Sequence, residues 1–550
     1  MLAAMLSYRA ATRLTGRPGP AVLAAGVYLL CGLSLWAYSE GRVDLLVALA
    51  VLPALFERVE TAFAVQAPAD GRWRFVAGLG VTLAVLVAFL PGGLLAVAVL
   101  VGVQLIAGSA RARGFITMVL AAAVAGVLLF PFVPTLVAGG GHALVSRIGT
   151  TDLSQLARLA PGGGPGTWIV ALFLPIASFV SFALVGDDLR ARAVRAMTVA
   201  LIGLGLSWLS AAGWMPAPVS NPLAYLAVAA VAQVMLVAYG VSTVVAGLGR
   251  EAFGLRQLLT GVLTVVVGGG LVLQVAAALV GGWAVGGPEQ VPAAWSVLAG
   301  TAKGDFRVLW VGANTNDRFP APGGDPQAVA EAGASTLRYG LTGRDGALAI
   351  DIARPAAGPG PDGLDEALGE ILSGDTRHGG ALLGPFGVRF VIAADDDLPP
   401  DAAAILDAQV DLDLVPAAGL VVYQNARVLE PAAVLDDDAS TAEALRSSDP
   451  ADVVRTSLRR GSPMRQVQGG WHGDDGDGPV YVSTEFHDGW QVEASGDPPF
   501  PAFGWATGFA SQQAPVEVRY DRQLPATVQA GLLAAVWACA LWVTRKPVRR

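Results

Sequence analysis

The chain has 550 residues, 54% of them hydrophobic and 15% charged, with a formal net charge of -8. That balance is too apolar and too poor in charge for a string of soluble domains. The acid is concentrated in residues 288–522, which hold about 35 of the 44 acidic and about 16 of the 36 basic residues, and so acidic a segment repels the phosphates of a nucleic acid.

Met1 to Pro20 carry Arg9, Arg13 and Arg17 ahead of the first apolar run. A signal peptide has a similar basic start, but Ser39-Glu40-Gly41-Arg42 offers no small-residue cleavage site, so the segment reads as an uncleaved anchor. Ten stretches then read as membrane spans: Val22–Tyr38, Val43–Phe56, Phe75–Leu90, Leu94–Ala107, Phe115–Leu136, Trp168–Val185, Ala196–Ala212, Leu223–Leu248, Leu258–Ala284 and Thr527–Val543. Several fall short of the roughly 20 residues a perpendicular helix needs. Val43–Phe56, with Asp44 and Pro53, also fits a re-entrant segment, and Phe75–Ala107 fits two short helices hinged at Pro91-Gly92-Gly93. Both cysteines, Cys31 and Cys539, fall inside apolar spans, which excludes a disulfide framework and a cysteine-based zinc site.

Orientation follows from the basic clusters. These lie in the N-terminus, from Arg58 to Arg74, at Arg111 and Arg113, at Arg190, Arg192 and Arg195, at Arg250 and Arg256, and in the tail after Arg545. Ten spans put all of them on one side, which the positive-inside rule makes the cytoplasm. The loop 139–167 and the segment 288–522 then face outward.

The expected fold is a polytopic α-helical membrane protein of about ten spans with an extracytoplasmic α/β plus β-sandwich-like module. Residues 1–287 form the membrane domain, 288–428 an α/β subdomain, 429–522 a β-rich subdomain, and 523–550 the last span with its basic tail. In the first subdomain Phe306–Val311, Gly387–Ile392 and Gly419–Tyr423 read as strands, with helices over Leu364–Leu372 and Ala402–Leu406. In the second, Val480–Glu485, Gln491–Ala494, Trp505–Phe509 and Val516–Tyr520 alternate as strands do.

No nucleotide-cradling glycine motif occurs, so an ATP-driven motor is not expected in this chain. The acidic runs Asp395–Asp397, Asp436–Asp438 and Asp474-Asp475-Gly476-Asp477 lack the spacing of a calcium loop and read as solvated turns; no metal site and no cofactor are expected. The histidines His142, His378, His472 and His487 show no ligand spacing. Glu40, Arg42 and Asp44 cluster at the outer end of the first span pair. The arginine suits a lipid-linked phosphate and either carboxylate an acceptor hydroxyl, although a tight outer turn with solvated charges is the commoner explanation of such a cluster. The loop residues His142, Arg147 and Asp152 are substrate-binding candidates. Leu153–Leu159 behind them fits an interfacial helix or a plain connector.

Several segments taken together resemble the membrane-embedded C-terminal half of actinobacterial multi-pass family 2 glycosyltransferases. They are Tyr8-Arg-Ala-Ala-Thr-Arg13, Glu40-Gly41-Arg42 with Leu52-Pro53, Pro161-Gly-Gly-Gly-Pro-Gly166 before Trp168, and Phe253-Gly-Leu-Arg-Gln257. In the outer module they are Phe386-Gly-Val-Arg-Phe-Val391, Gly419-Leu-Val-Val-Tyr423, His487-Asp-Gly-Trp490 and Phe503-Gly-Trp505. A looser similarity extends to membrane glycosyltransferases that use polyprenyl-phosphate sugars. The resemblance implies a plasma-membrane component of a glycosyltransferase system for cell-envelope polysaccharide assembly. Both termini would be cytoplasmic, with a lipid-linked sugar or glycan handled on the outer face. It also implies a polyprenyl-phosphate-linked sugar as substrate and the lipid bilayer and lipid-linked glycan as partners. The catalytic half is expected on a separate subunit, or to have been lost from a truncated reading frame, because no nucleotide-sugar domain and no residue matching a family catalytic acid is found here. The alternative is a non-catalytic scaffold or a glycan-export component. A secondary transporter is disfavoured, because Asp44 is almost the only charge inside a span.

Overall fold

The computed structural model describes residues 2–39, 42–65, 71–130, 153–161, 169–216, 219–247, 255–279, 300, 304–312, 328–332, 335–344, 359–394, 398–417, 419–437, 439–456, 461–467, 469–493, 497–521 and 523–544. It divides into a helical unit of residues 1–286, 323–325 and 531–550 and a module of residues 287–322 and 326–530.

In the helical unit the order is α1 (Leu2–Thr15), α2 (Pro18–Leu29), α3 (Gly32–Ser39), α4 (Val43–Ala62), α5 (Arg72–Phe89), α6 (Gly93–Ala107), α7 (Arg111–Leu128), α8 (Leu153–Ala157), α9 (Phe173–Leu184), α10 (Asp187–Ala211), α11 (Pro222–Gly247) and α12 (Leu255–Leu279). Among the described residues six helices are long and apolar enough to cross a membrane: α5, α7, α10, α11, α12 and Thr527–Thr544 of the C-terminal helix. A seventh span results if α2 and α3, bent by 42° at their junction, count as one. The remaining sequence-expected spans fall short for identifiable reasons. The helices α6 and α9 have 15 and 12 residues, and at 1.5 Å per residue they are shorter than a hydrocarbon core of about 30 Å. α4 has 20 residues but carries Asp44, Glu57, Arg58 and Glu60.

α11 is the axis of the bundle. Its residues from Pro222 to Gly240 are buried on every side, as an all-round apolar sequence demands. The outer helices do the reverse and expose apolar side chains: Val265 is 73% and Trp542 75% exposed, a surface that suits lipid and not water. Small residues let the axes approach. A Cβ at Gly240 would stand 2.5 Å from Ser181 Cβ of α9, and one at Gly203 of α10 would stand 2.8 Å from the Tyr225 carbonyl of α11. The C-terminal helix is held to α7 by Trp537 Nε1, which donates to the Leu128 carbonyl at 2.9 Å. The short helix α8 turns Leu156 into the bundle core, joined there by Leu159 after its end, while Leu153 is exposed.

The module is built from mixed α/β and β layers. Its first sheet has the order β2-β3-β1-β4-β6-β5, with β1 (Arg307–Gly312), β2 (Ala328–Ala332), β3 (Ser335–Gly343), β4 (Val388–Ala394), β5 (Leu412–Ala417) and β6 (Leu420–Asn425). Only β1 and β4 pair in parallel. Helices α13 (Pro359–Ser373), α14 (Gly379–Leu383) and α15 (Pro400–Asp407) accompany it. After β7 (Ala432–Val434) and helices α16 (Ala439–Arg446) and α17 (Pro450–Arg455) come β8 (Ser462–Pro463), β9 (Arg465–Val467), β10 (Gly470–Gly473), β11 (Asp477–Glu485), β12 (Trp490–Val492), β13 (Phe500–Ala502), β14 (Ala506–Gln513) and β15 (Val516–Tyr520). They form sheets β12-β15-β10-β9 and β13-β14-β11-β7-β8, with Val434, Val480, Val482, Phe509, Val516 and Val518 between them, as in a sandwich. The boundary at 428/429 lies inside one continuous core, in which Leu309 and Phe386 share a cluster with Tyr481 and Trp505.

Candidate functional site

Two constellations stand out, one in each unit. In the module, the inner face of the sheet β12-β15-β10-β9 ends in a row of aromatic rings. Alternation along β15 puts Val516, Val518 and Tyr520 on one face. Pairing then sets Trp490 opposite Tyr520 and Trp471 opposite Val518, so all three large rings share that face. Trp490 is central, with its ring centroid 5.1 Å from Trp471 and 5.1 Å from Tyr520. His487 continues the row, 5.4 Å from Tyr520 edge to face. Trp471, Trp490 and Tyr520 are half-buried and His487 is exposed, so the row begins in the sandwich core and ends in solvent.

Local chemistry fixes the row. The His487 Nδ1 accepts from the Gly489 N–H at 2.9 Å and lies 3.3 Å from the Tyr520 hydroxyl. A Cβ on Gly489 would stand 2.9 Å from the Tyr520 ring and 3.0 Å from that nitrogen, so the tight turn before Trp490 needs a glycine. Asp521 N–H donates to the Gly489 carbonyl at 2.8 Å, tying the β12 turn to the end of β15. A polar group edges the solvent end of the row, where Asp488 Oδ1 lies 3.1 Å from His487 Nδ1, while Gln491, registered opposite Arg519, belongs to the other face and reaches Asp521 Oδ2 at 3.4 Å. The opposite face of the same sheet is a charge ladder. There the Arg519 guanidinium, bonded to Glu517 at 2.7 Å, holds that carboxyl below the usual carboxylate range. Arg519 also lies 3.6 Å from Glu493, and His472 pairs with Asp474 at 2.9 Å.

In the helical unit the last turns of α4 gather arginines from three other helices and from α4 itself. Arg13 of α1 pairs with Glu57 at 3.1 Å, and Arg195 of α10 with Glu60 at 2.7 Å. Gln104 of α6 donates to Glu60, and Arg58 donates to the Gly78 carbonyl and Thr82 hydroxyl of α5. Arg113 of α7 donates to the Ala64 and Val65 carbonyls just past the helix end, and Arg192 to the Leu14 carbonyl at 2.6 Å. Cations at a helix C-terminus are favoured by its dipole, and buried carboxylates in an apolar bundle require such partners. Four of the basic clusters that the sequence assigns to one side are thus joined physically at one end of the bundle.

Of the sequence-derived candidates, Arg42 and Asp44 are brought together. The Arg42 Nε and Nη2 donate to the two Asp44 oxygens at 3.1 and 2.9 Å, and Arg42 is only 6% exposed at the start of α4. This two-point pair fixes the Arg42 guanidinium at the head of α4, while the Asp44 side chain stays one-third exposed at 33%. Glu40, His142, Arg147 and Asp152 lie outside the described residues. Among the described residues no cluster of His, Cys, Asp or Glu could hold a metal ion.

Sequence reading missed Glu57 and Glu60, because ending the second span at Phe56 placed them beyond it. It also missed the ring row, although Trp490 and Tyr520 each close a segment it marked. The resemblance motifs have structural roles: His487-Asp-Gly-Trp490 makes the turn of the ring row, and Phe386 stacks on Trp505 at 4.8 Å between centroids, 5° from parallel.

No family model and no curated protein matches the chain. Among solved structures it is similar to the arabinofuranosyltransferase AftD from mycobacteria, determined by single-particle cryo-EM. One such structure has a TM-score of 0.42 at 13% identity over 80% of this chain and 34% of that one. Two of a mutant of the same enzyme have TM-scores of 0.41 and 0.39 at 13% and 14% identity. The chain spans about a third of the length of these proteins.

Proposed function

We propose that this multi-pass membrane protein is a component of a glycosyltransferase system for cell-envelope polysaccharide assembly, and that its module holds a glycan against the ring row. The observation that carries this reading is the continuous row Trp471–Trp490–Tyr520–His487 with the Asp488 carboxylate at its exposed end. A neutral sugar has a polar edge and an apolar face of C–H bonds. Half-exposed tryptophan and tyrosine rings match that face, while His487 and Asp488 at the exposed end suit its hydroxyls. An acidic module has no comparable complement for an anionic ligand.

The side of the membrane follows from charge. The end of the bundle where Arg13, Arg58, Arg113, Arg192 and Arg195 meet is the cytoplasmic end by the positive-inside rule, and the module is extracytoplasmic. The Arg42–Asp44 pair, in which only the arginine is buried, is the proposed contact for the phosphate of a lipid-linked sugar, with Glu40 as its neighbour in sequence and His142, Arg147 and Asp152 as candidates from the outer loop. A catalytic subunit on a separate chain, or a segment joined to this one, would perform the transfer.

Titrating the full-length protein in detergent with neutral envelope oligosaccharides, followed by tryptophan fluorescence, tests the reading. Saturable quenching is expected, weakened about tenfold or more by Trp490→Ala, which corresponds to roughly 1.4 kcal/mol or above. Equal titration curves for the wild type and for Trp490→Ala would remove the ring row from glycan binding.

A further inference from the structure

A second basic constellation lies where α1 packs against α4. A cavity of about 30 Å³, room for one or two small polar atoms beyond what the side chains fill, is lined by Leu6, Arg9, Arg13, Ala54, Glu57 and Arg58. Three arginines and one glutamate line it, so the lining is positive by two charges, with the Arg58 guanidinium bonded to Gly78 and Thr82 of α5. Arg13 spends a single nitrogen, Nη1, on both Glu57 oxygens, at 3.3 and 3.1 Å, so that pair does not consume the rest of its donor fork. Arg9 is exposed, four residues before Arg13 and hence on the same face of α1.

The surroundings specify what kind of anion fits. Helix α1 has buried Ser7, Ala10, Ala11 and Leu14 on the side that packs on α2 and α4, while Leu2 and Met5 are 53% and 58% exposed beside the arginines. A short helix with an apolar strip next to cations, attached to a bundle of membrane-spanning helices, is the pattern of a segment lying in the bilayer interface. A free anion would be served by the arginines alone and gains nothing from the exposed Leu2 and Met5. An anion carrying acyl chains uses both.

We infer that the α1–α4 cavity, through Arg9, Arg13 and Arg58, binds the phosphate of an anionic membrane lipid, with the acyl chains running along Leu2 and Met5. Basic pockets between membrane helices on the side that carries the basic clusters are suited to such head groups. Arg58 also anchors α5, and Arg13 neutralises Glu57. Arg9 is therefore the residue whose role is confined to the ligand. This inference does not depend on the glycan reading.

The test uses the full-length protein in detergent, titrated with phosphatidylglycerol, with phosphatidylcholine and with inorganic phosphate, and the bound lipid counted by native mass spectrometry. One tightly held phosphatidylglycerol is expected, with no comparable phosphatidylcholine and no displacement by millimolar phosphate. Arg9→Ala should weaken it about fivefold, the effect of one interfacial arginine, and Arg9→Lys should restore most of that loss. Arg72→Ala, which removes an exposed arginine at the start of α5, should leave it unchanged. Equal losses in the Arg9→Ala and Arg72→Ala variants would mean diffuse attraction and overturn the site. So would equal binding of both lipids, and displacement by inorganic phosphate would overturn the lipid assignment.

Discussion

Glu60→Ala is expected to be the most damaging single substitution in the helical unit. Its carboxylate side chain is 4% exposed, and it is paired with Arg195 at 2.7 Å and hydrogen-bonded by Gln104. Removing one member of a buried pair leaves the other charge desolvated, at a cost of about 3–5 kcal/mol. Here the abandoned guanidinium would sit among α4, α6 and α10. Loss of monodisperse protein, or a large fall in melting temperature in detergent, is the expected readout. The double variant Glu60→Leu with Arg195→Leu should recover much of that loss, because two matched apolar side chains leave no buried charge. A Glu60→Ala protein as stable as the wild type would show that the pair contributes nothing.

The second large effect is expected at Arg307 in the module. It is buried at the start of β1, donating to the Phe386 carbonyl at 3.0 Å, to Ser483 Oγ at 2.6 Å and to the Ser483 carbonyl at 2.7 Å. These bonds join the mixed sheet to β11 of the sandwich. Arg307→Met keeps most of the volume and leaves three buried acceptors without their donor, at a cost of roughly 3 kcal/mol or more. Hydrogen exchange should show β1 and β11 losing protection together. The solvent-exposed Arg519→Met, in contrast, should leave melting unchanged. Loss of protection in β1 alone would mean that the two parts are coupled through the apolar core and not through this side chain.

The sequence reveals most where a segment's role is set by its own residues. The apolar runs became helices, and Phe306–Val311, Gly387–Ile392 and Val516–Tyr520 became strands within a residue or two, because unbroken or alternating β-branched runs report burial directly. β2, with the sequence Ala-Val-Ala-Glu-Ala, and the half-exposed β5 carry no such signal; their pairing with β3 and β6 makes them strands. The span count differs for a similar reason. Helix α4 continues past Phe56 through Glu57 and Glu60 because Arg13 and Arg195, which lie 44 and 135 positions away, neutralise them. Neither partner can be identified from a local window. The ring row is likewise a product of register: Trp471 meets Trp490 only because β10 and β12 both pair with β15.

Sidedness is the claim on which envelope glycan handling rests, and cysteine labelling of intact cells addresses it most directly. With Cys539→Ser removing the exposed native thiol and Cys31 buried, single reporters are placed as Asp474→Cys in the module and Arg72→Cys at the basic end of the bundle. A membrane-impermeant maleimide should label the Asp474→Cys protein on intact cells and the Arg72→Cys protein only after the cells are opened. Labelling of the Asp474→Cys protein only in opened cells would place the ring row in the cytosol and contradict the proposed function.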